Sequence, residues 1–160
     1  MASIARVVGL VEAVEGLGPQ GQVLTPMITS EVAGTVGLSG GMVRMPGGRV
    51  SKAHAHARSE IIVAVLAGSA ATVVWDGDRP RVLPHGPGEM CYVPAGVPHG
   101  AVNLDPTTEV VALEFRTDPA FNDDVVLLPG LDGQLSELAD ELRRQPAPHP
   151  GQAWPVGLPV

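Results

Sequence analysis

The stretch Gly48–Glu60 reads GRVSKAHAHARSE, with His54 and His56 two positions apart and Glu60 four positions after the second. Only five histidines occur in 160 residues, so two within three positions mark a place where imidazoles are wanted together. Side chains two apart on a strand share a face, and His54 and His56 can then aim at one point. Glu60 cannot join them from a straight strand, because four extended residues span roughly 13 Å. The chain must turn at Ala57-Arg58-Ser59 and bring Glu60 back on the next strand. Two neutral imidazoles and one carboxylate suit a first-row divalent metal and leave coordination positions open.

Working outward, the flanking sequence reads as short strands. EIIVAVLAG is a β-branched run ended by Gly68, and AATVVWDGD ends in an Asp-Gly turn signal. EMCYVPAG is a strand stopped at Pro94, and HGAVNL and EVVALEFR are two more. Strands at roughly ten-residue spacing with turn chemistry between them indicate an all-β sandwich or barrel. Residues 1–47, with QVLTPMI and GTVGLSGGMVRM, read as edge strands and turns packing on a barrel core at 48–130. Leu131, Leu135, Leu138 and Leu142 recur at helical spacing in 131–145, with Arg143 and Arg144 in the last turn. A Pro-rich tail, 146–160, closes the chain.

Composition agrees. Gly 20 and Pro 16 favour many short segments, and hydrophobic residues reach 44% with only 3% aromatic. The net charge of -7 and ten scattered basic residues offer no stripe for phosphates, which argues against nucleic acid. The N-terminus does not read as a signal peptide, and no apolar run is long enough to span a membrane. The single cysteine, Cys91, fits a reducing compartment, and the expectation is a soluble cytoplasmic protein.

A second stretch makes the first specific. Gly88–Asn103, GEMCYVPAGVPHGAVN, carries His99 after a Pro-Ala-Gly-Val-Pro turn. Gly48, His54, His56, Glu60 and Gly68 follow the first motif of the cupin superfamily, and Gly88, Pro94, Gly96, His99 and Asn103 follow its second at every spacing. The chain therefore resembles a small, single-domain, metal-binding cupin. In one respect the first motif differs: seven residues, not six, separate Glu60 from Gly68. The span from His56 to Gly68 equals that of the four-then-six form, so Glu60 sits one place early. A one-residue change on a strand alters the face a side chain takes unless a bulge absorbs it.

The resemblance implies a double-stranded β-helix, or jelly-roll barrel, with a short C-terminal helix. Its mouth would hold one divalent metal per chain on His54, His56, Glu60 and His99, Fe(II) first, with Mn, Ni, Co or Zn as alternatives. It also implies a small-molecule substrate and a homodimer, with the N-terminal segments and the C-terminal helix as candidate interface elements. Pro94 and Gly96 would shape the turn that presents His99, and Asn103 would buttress it.

Other residues have plainer readings. His85 lies in a Pro-flanked turn and is expected at the surface; His149 falls in the tail. Cys91 alternates with Met90 and Tyr92 and reads as a packing residue, and Trp75 as rim packing or pocket lining. Glu114 and Arg116 share a strand face. They form either a salt-bridged strand end or an inward catalytic pair, with Arg116 binding a substrate carboxylate and Glu114 moving a proton.

Three activities fit such a site. The leading expectation is a non-haem iron dioxygenase acting on a small molecule with oxygen donors. The second is a non-redox cyclase, isomerase or lyase, of a kind found in secondary metabolism. The third is a non-catalytic domain that binds a metal or small molecule.

Overall fold

Alternation of buried and exposed residues builds the strands. In EVVALEFR the side chains of Val110, Ala112, Glu114 and Arg116 are buried while Phe115 is exposed, and in MCYV the buried pair is Cys91 and Val93. The computed structural model describes residues 5–145. Its strands are β1 (Gly16–Leu17), β2 (Val23–Ile28), β3 (Ser39–Met45), β4 (His54–His56), β5 (Ile61–Ala67), β6 (Ala70–Asp76), β7 (Arg79–His85), β8 (Met90–Val93), β9 (His99–Asn103), β10 (Val110–Arg116) and β11 (Val125–Leu127). Among the described residues there are two α-helices, a single turn α1 (Ser30–Ala33) and the longer α2 (Asp132–Arg144).

The strands form two antiparallel sheets that face each other. One has the order β1-β2-β3-β10-β5-β8 and the other β11-β4-β9-β6-β7. The first sheet reaches further towards the N-terminus than the sequence suggested. β3 lies between β2 and β10, paired with β10 along its whole length from Met45↔Val110 to Ser39↔Arg116. It is an internal strand of the barrel.

Between the sheets, Met45, Val65, Ala70, Val110 and Ala112 pack into one cluster and Ile61, Cys91 and Val93 into another. The second sheet is buried on both faces. Ala71, Val73, Trp75 and Val102 turn outward and are covered by Leu135, Ala139 and Leu142 of α2. This double burial explains why AATVVW reads as a continuous apolar run. Gly100 makes the approach of α2 feasible, because a Cβ there would stand 2.3 Å from Leu135 Cδ2. Trp75 Nε1 donates to Gln134 Oε1 of α2 at 2.7 Å, so this ring fastens the helix.

Two turns of the motif regions need glycine. Gly68 has φ +87°, and a Cβ on it would meet Glu109 O at 2.6 Å. Gly96 has φ +77°, and its N–H donates to His56 O at 2.7 Å, tying the turn before β9 to β4. His149 and the rest of the expected tail lie outside the described residues.

Candidate metal centre

β4 lies between β9 and β11, and His54 sits directly opposite His99. Strand alternation puts His56 on the same face as His54. The three imidazoles converge, with ring centroids 4.3 to 5.5 Å apart and one potential ligand atom from each within 4.8 Å of the others. All three side chains are buried.

The tautomer of each ring follows from its outer partner. His54 Nδ1 lies 2.8 Å from Lys52 O and His99 Nδ1 2.9 Å from Val97 O. A carbonyl oxygen only accepts, so each Nδ1 carries the proton and Nε2 keeps its lone pair. His56 Nδ1 lies 3.2 Å from Asp124 Oδ1. Asp124 is a residue that the sequence reading did not single out. Its Oδ2 accepts from the Arg58 and Ser59 amides, both at 2.9 Å, and from Ser59 Oγ at 2.7 Å. Burial opposes its charge, but these bonds and His56 together hold its carboxyl down at about 2. One carboxylate thus fixes the 57–59 turn and orients His56, the outer arrangement that aims imidazole ligands. Asp124 belongs to neither motif, and only the pairing of β11 with β4 brings it there.

Burial keeps the imidazoles neutral, the form in which they bind metal. Burial first, then His99, lowers His54 to about 2, and burial lowers His99 to about 4. His56 is lowered too, by burial and then by Arg116. Buried neutral rings with anchored Nδ1 atoms and inward Nε2 atoms fit a divalent cation.

Glu60 is elsewhere. It is exposed, and its Oε1 accepts from Tyr92 Oη at 2.6 Å. The sequence expectation of Glu60 beside the histidines is not what the fold delivers, and the early spacing is the reason. Ile61 begins β5, points inward at 1% exposure and lines the same cavity as His54 and His99. Its neighbour Glu60 is turned to the other side. From Ile61 the register is regular, against β8 to Ala64 and against β10 to Val65.

The carboxylate that does line the cavity is Glu114. Its partner is Arg116, whose Nε donates to Glu114 Oε1 at 2.6 Å. Arg116 Nη1 donates to Phe121 O and Asn122 Oδ1, and the guanidinium lies 4.6 Å over the Phe121 ring. Arg116 itself is buried and absent from the cavity wall: Nε and Nη1 are committed to Glu114 and this loop, while Nη2 lies beside Glu114 Oε1 at 2.6 Å without a hydrogen bond. Phe121 is held at φ +80°, rare for a bulky residue, in the space that Gly41 leaves open.

The cavity has a volume of about 50 Å³, room for a few waters or one small organic molecule. Its wall is largely aliphatic, from Val43, Ile61, Val63, Val65, Val93 and Val110 among others. His85 also lines it, buried at 8% exposure, which corrects the expectation of a surface histidine. β7 carries it inward, opposite Ala70. Cys91 is buried, and burial pushes its thiol up, away from nucleophilic use.

Comparison with known proteins bears directly on this geometry. A family model described as Cupin domain matches residues 41–115, the span that holds all three histidines and Glu114. Residues 41–115 match a cupin domain, and the chain has the cupin fold. Among solved structures, the cupin fold superposes on oxalate decarboxylase from Bacillus subtilis with a TM-score of 0.66 at 18% identity, over 80% of this chain and 33% of that one. It superposes on an oxalate oxidase with a TM-score of 0.61 at 20% identity, over 84% of this chain and 77% of that one. The same figures hold for a recombinant oxalate oxidase in complex with glycolate. This cupin therefore spans about a third of the decarboxylase, and the likeness at such identities is one of fold. A search of curated proteins returns no match. In cupin terms, His54, His56 and His99 occupy the motif positions of metal ligands, and Ile61 stands where the four-then-six form places the carboxylate.

Proposed function

We propose that this cupin is a metal-dependent enzyme acting on a small organic acid, with iron-dependent dioxygenation as the first reading of its reaction. The observation that carries the proposal is the donor set: three buried neutral imidazoles, each anchored through Nδ1, with no carboxylate among them. Three neutral ligands leave the charge of a divalent ion uncompensated and its remaining positions free for an anionic, oxygen-chelating substrate and a further small ligand. Iron bound there would supply oxygen activation, and Mn, Ni, Co or Zn would supply Lewis acidity.

The chain's own residues supply the rest. His54, His56 and His99 hold the ion. Glu114, held through Oε1 by Arg116, is the group on the wall able to take or give a proton. The aliphatic wall keeps water from the remainder of the substrate. That two fold relatives are named for oxalate, and that one binds glycolate, supports a small carboxylic acid as the substrate class. Glu114 also supports the second reading, a non-redox lyase or isomerase in which proton transfer is the protein's main task.

Oxygen uptake separates the two. Protein reconstituted anaerobically with Fe(II) is mixed with oxygenated catechols, keto acids, hydroxy acids or thiols. Stoichiometric oxygen consumption with one of them supports dioxygenation. Turnover of an acid without oxygen consumption, by protein whose native metal is Zn or Mn, overturns it in favour of the non-redox reading.

A further inference from the structure

The cavity has a second polar place beyond the histidine cluster. On the inward face of β9, His99 is followed by Ala101 and then Asn103, and β6 pairs beside it with Thr72 opposite Ala101 and Ala70 opposite Asn103. Thr72 is thus one inward position from His99, about 7 Å along the strand. His85, opposite Ala70 on β7, is a second position on, about 13 Å along. Both side chains are more than nine-tenths buried, both line the cavity, and Thr72 Oγ1 lies 3.0 Å from His85 Nε2.

Within this pair the Thr72 hydroxyl is engaged by His85 and the Cys91 thiol, while His85 is under-satisfied by the protein. His85 Nδ1 is sealed from solvent and has no hydrogen-bond partner. Gln22, also on the wall, offers its amide N–H only to the thioether of Met45, at 3.4 Å. Buried polar atoms left unpaired are costly, and on a ligand-sized cavity wall they mark where a ligand group completes the bonding.

We infer that Thr72 and His85, with Gln22 on the same cavity wall, form a subsite for the distal hydroxyl of a small hydroxylated acid whose other end chelates the metal. This rests on the metal reading of the three histidines given above. A hydroxyl is the group the wall selects. It both donates and accepts, so it satisfies Thr72 and His85 whichever nitrogen of His85 carries the proton, whereas a carbonyl satisfies only one arrangement. A second carboxylate has no partner, because among the described residues no lysine or arginine lines the cavity and Glu114 is already there. A plain alkyl end leaves the polar atoms unpaired.

Matched acids test this by calorimetry on Zn(II)-loaded protein: 2-hydroxybutanoate, 2,4-dihydroxybutanoate and malate, which differ only in ending as methyl, hydroxymethyl or carboxylate. The expected result is about tenfold tighter binding of 2,4-dihydroxybutanoate than of 2-hydroxybutanoate, with malate weakest. Thr72→Val and His85→Leu should remove that preference while keeping one zinc per chain by metal analysis. One zinc per chain with equal binding of the dihydroxy and monohydroxy acids overturns the subsite alone. Failure of the wild type to take up zinc overturns the metal reading and this inference with it. If a variant does not fold, the imidazole nitrogen resonances of His85 in the wild type decide. They should shift with 2,4-dihydroxybutanoate and not with 2-hydroxybutanoate, and identical spectra overturn the subsite.

Discussion

Asp124 shows how much of a metal site can rest on a residue that never touches the metal. Its two carboxylate oxygens serve His56 Nδ1, two amides and the Ser59 hydroxyl. Asp124→Asn keeps the shape but places an amide where His56 and the turn amides need an acceptor. Metal affinity should fall about 10- to 100-fold in a competitive chelator titration, the range typical of lost outer partners. By contrast Glu60→Ala should leave metal stoichiometry unchanged, because that carboxylate faces Tyr92 at the surface. Loss of metal from Glu60→Ala would contradict the placement of Ile61 as the inward residue. Protonation adds a third expectation, for metal-free protein. Burial holds His85 and His99 at about 4 and His54 at about 2, against an ordinary 6.5. Below pH 6.5 the unfolded chain takes up protons that the folded chain refuses. Stability is therefore full above that pH and falls as pH drops towards 4, by about 1.4 kcal/mol per unit for each such histidine. Denaturant midpoints from pH 7 to 4 measure this, and a flat profile would contradict it. Asp124 acts lower, its contribution present above its ordinary 3.8 and lost as pH falls towards about 2.

At the scale of elements, the link between α2 and the second sheet is the tightest local packing. Leu135 is fully buried and fills the space left by Gly100. Leu135→Ala should cost about 3 kcal/mol, read as a lower denaturation midpoint with an unchanged slope. This helix was legible in the sequence because its leucines repeat at helical spacing, β5, β6 and β8 because apolar runs end at Gly, Asp-Gly or Pro, and β9 and β10 because they continue the roughly ten-residue spacing of short strands. β7 was not, since Pro80 and Pro84 interrupt RPRVLPH. The structure accommodates both prolines because β7 is an edge strand, where a missing amide donor is tolerated. Missing β7 is also why His85 was expected at the surface. The three histidines were legible through two matched motifs. Glu114 was visible only as one of two open alternatives, because strand alternation does not say which face is inward. Asp124 was invisible because it reaches β4 through a long-range strand pairing that no local pattern encodes.

Across the whole molecule the two sheets are treated unequally. α2 covers the outer face of one, while the outer face of the other stays apolar and open. Phe115, Ile62 and Tyr92 lie in one row across β10, β5 and β8, Leu113, Ala64 and Met90 in the next, and Leu66 beyond. Met90 is 73% exposed and Tyr92 54%. Large exposed apolar side chains gathered on one sheet face mark an interaction surface. The homodimer that the resemblance implies is proposed to bury this apolar face, with Glu60 on Tyr92 at its edge, rather than to form through α2. Sedimentation should give a dimer for the wild type and a monomer for Ile62→Lys with Met90→Lys, and a monomeric wild type would contradict it. Among the described residues no helix is long and apolar enough to cross a membrane.

Three imidazoles are proposed to hold one divalent ion without a carboxylate. Metal analysis of protein purified without chelators and then loaded anaerobically with Fe(II), set beside His54→Ala/His56→Ala and Glu60→Ala, tests it most directly. One ion per chain is expected in the wild type and in Glu60→Ala, and none in the double variant. Stoichiometric metal retained by the double variant would contradict it.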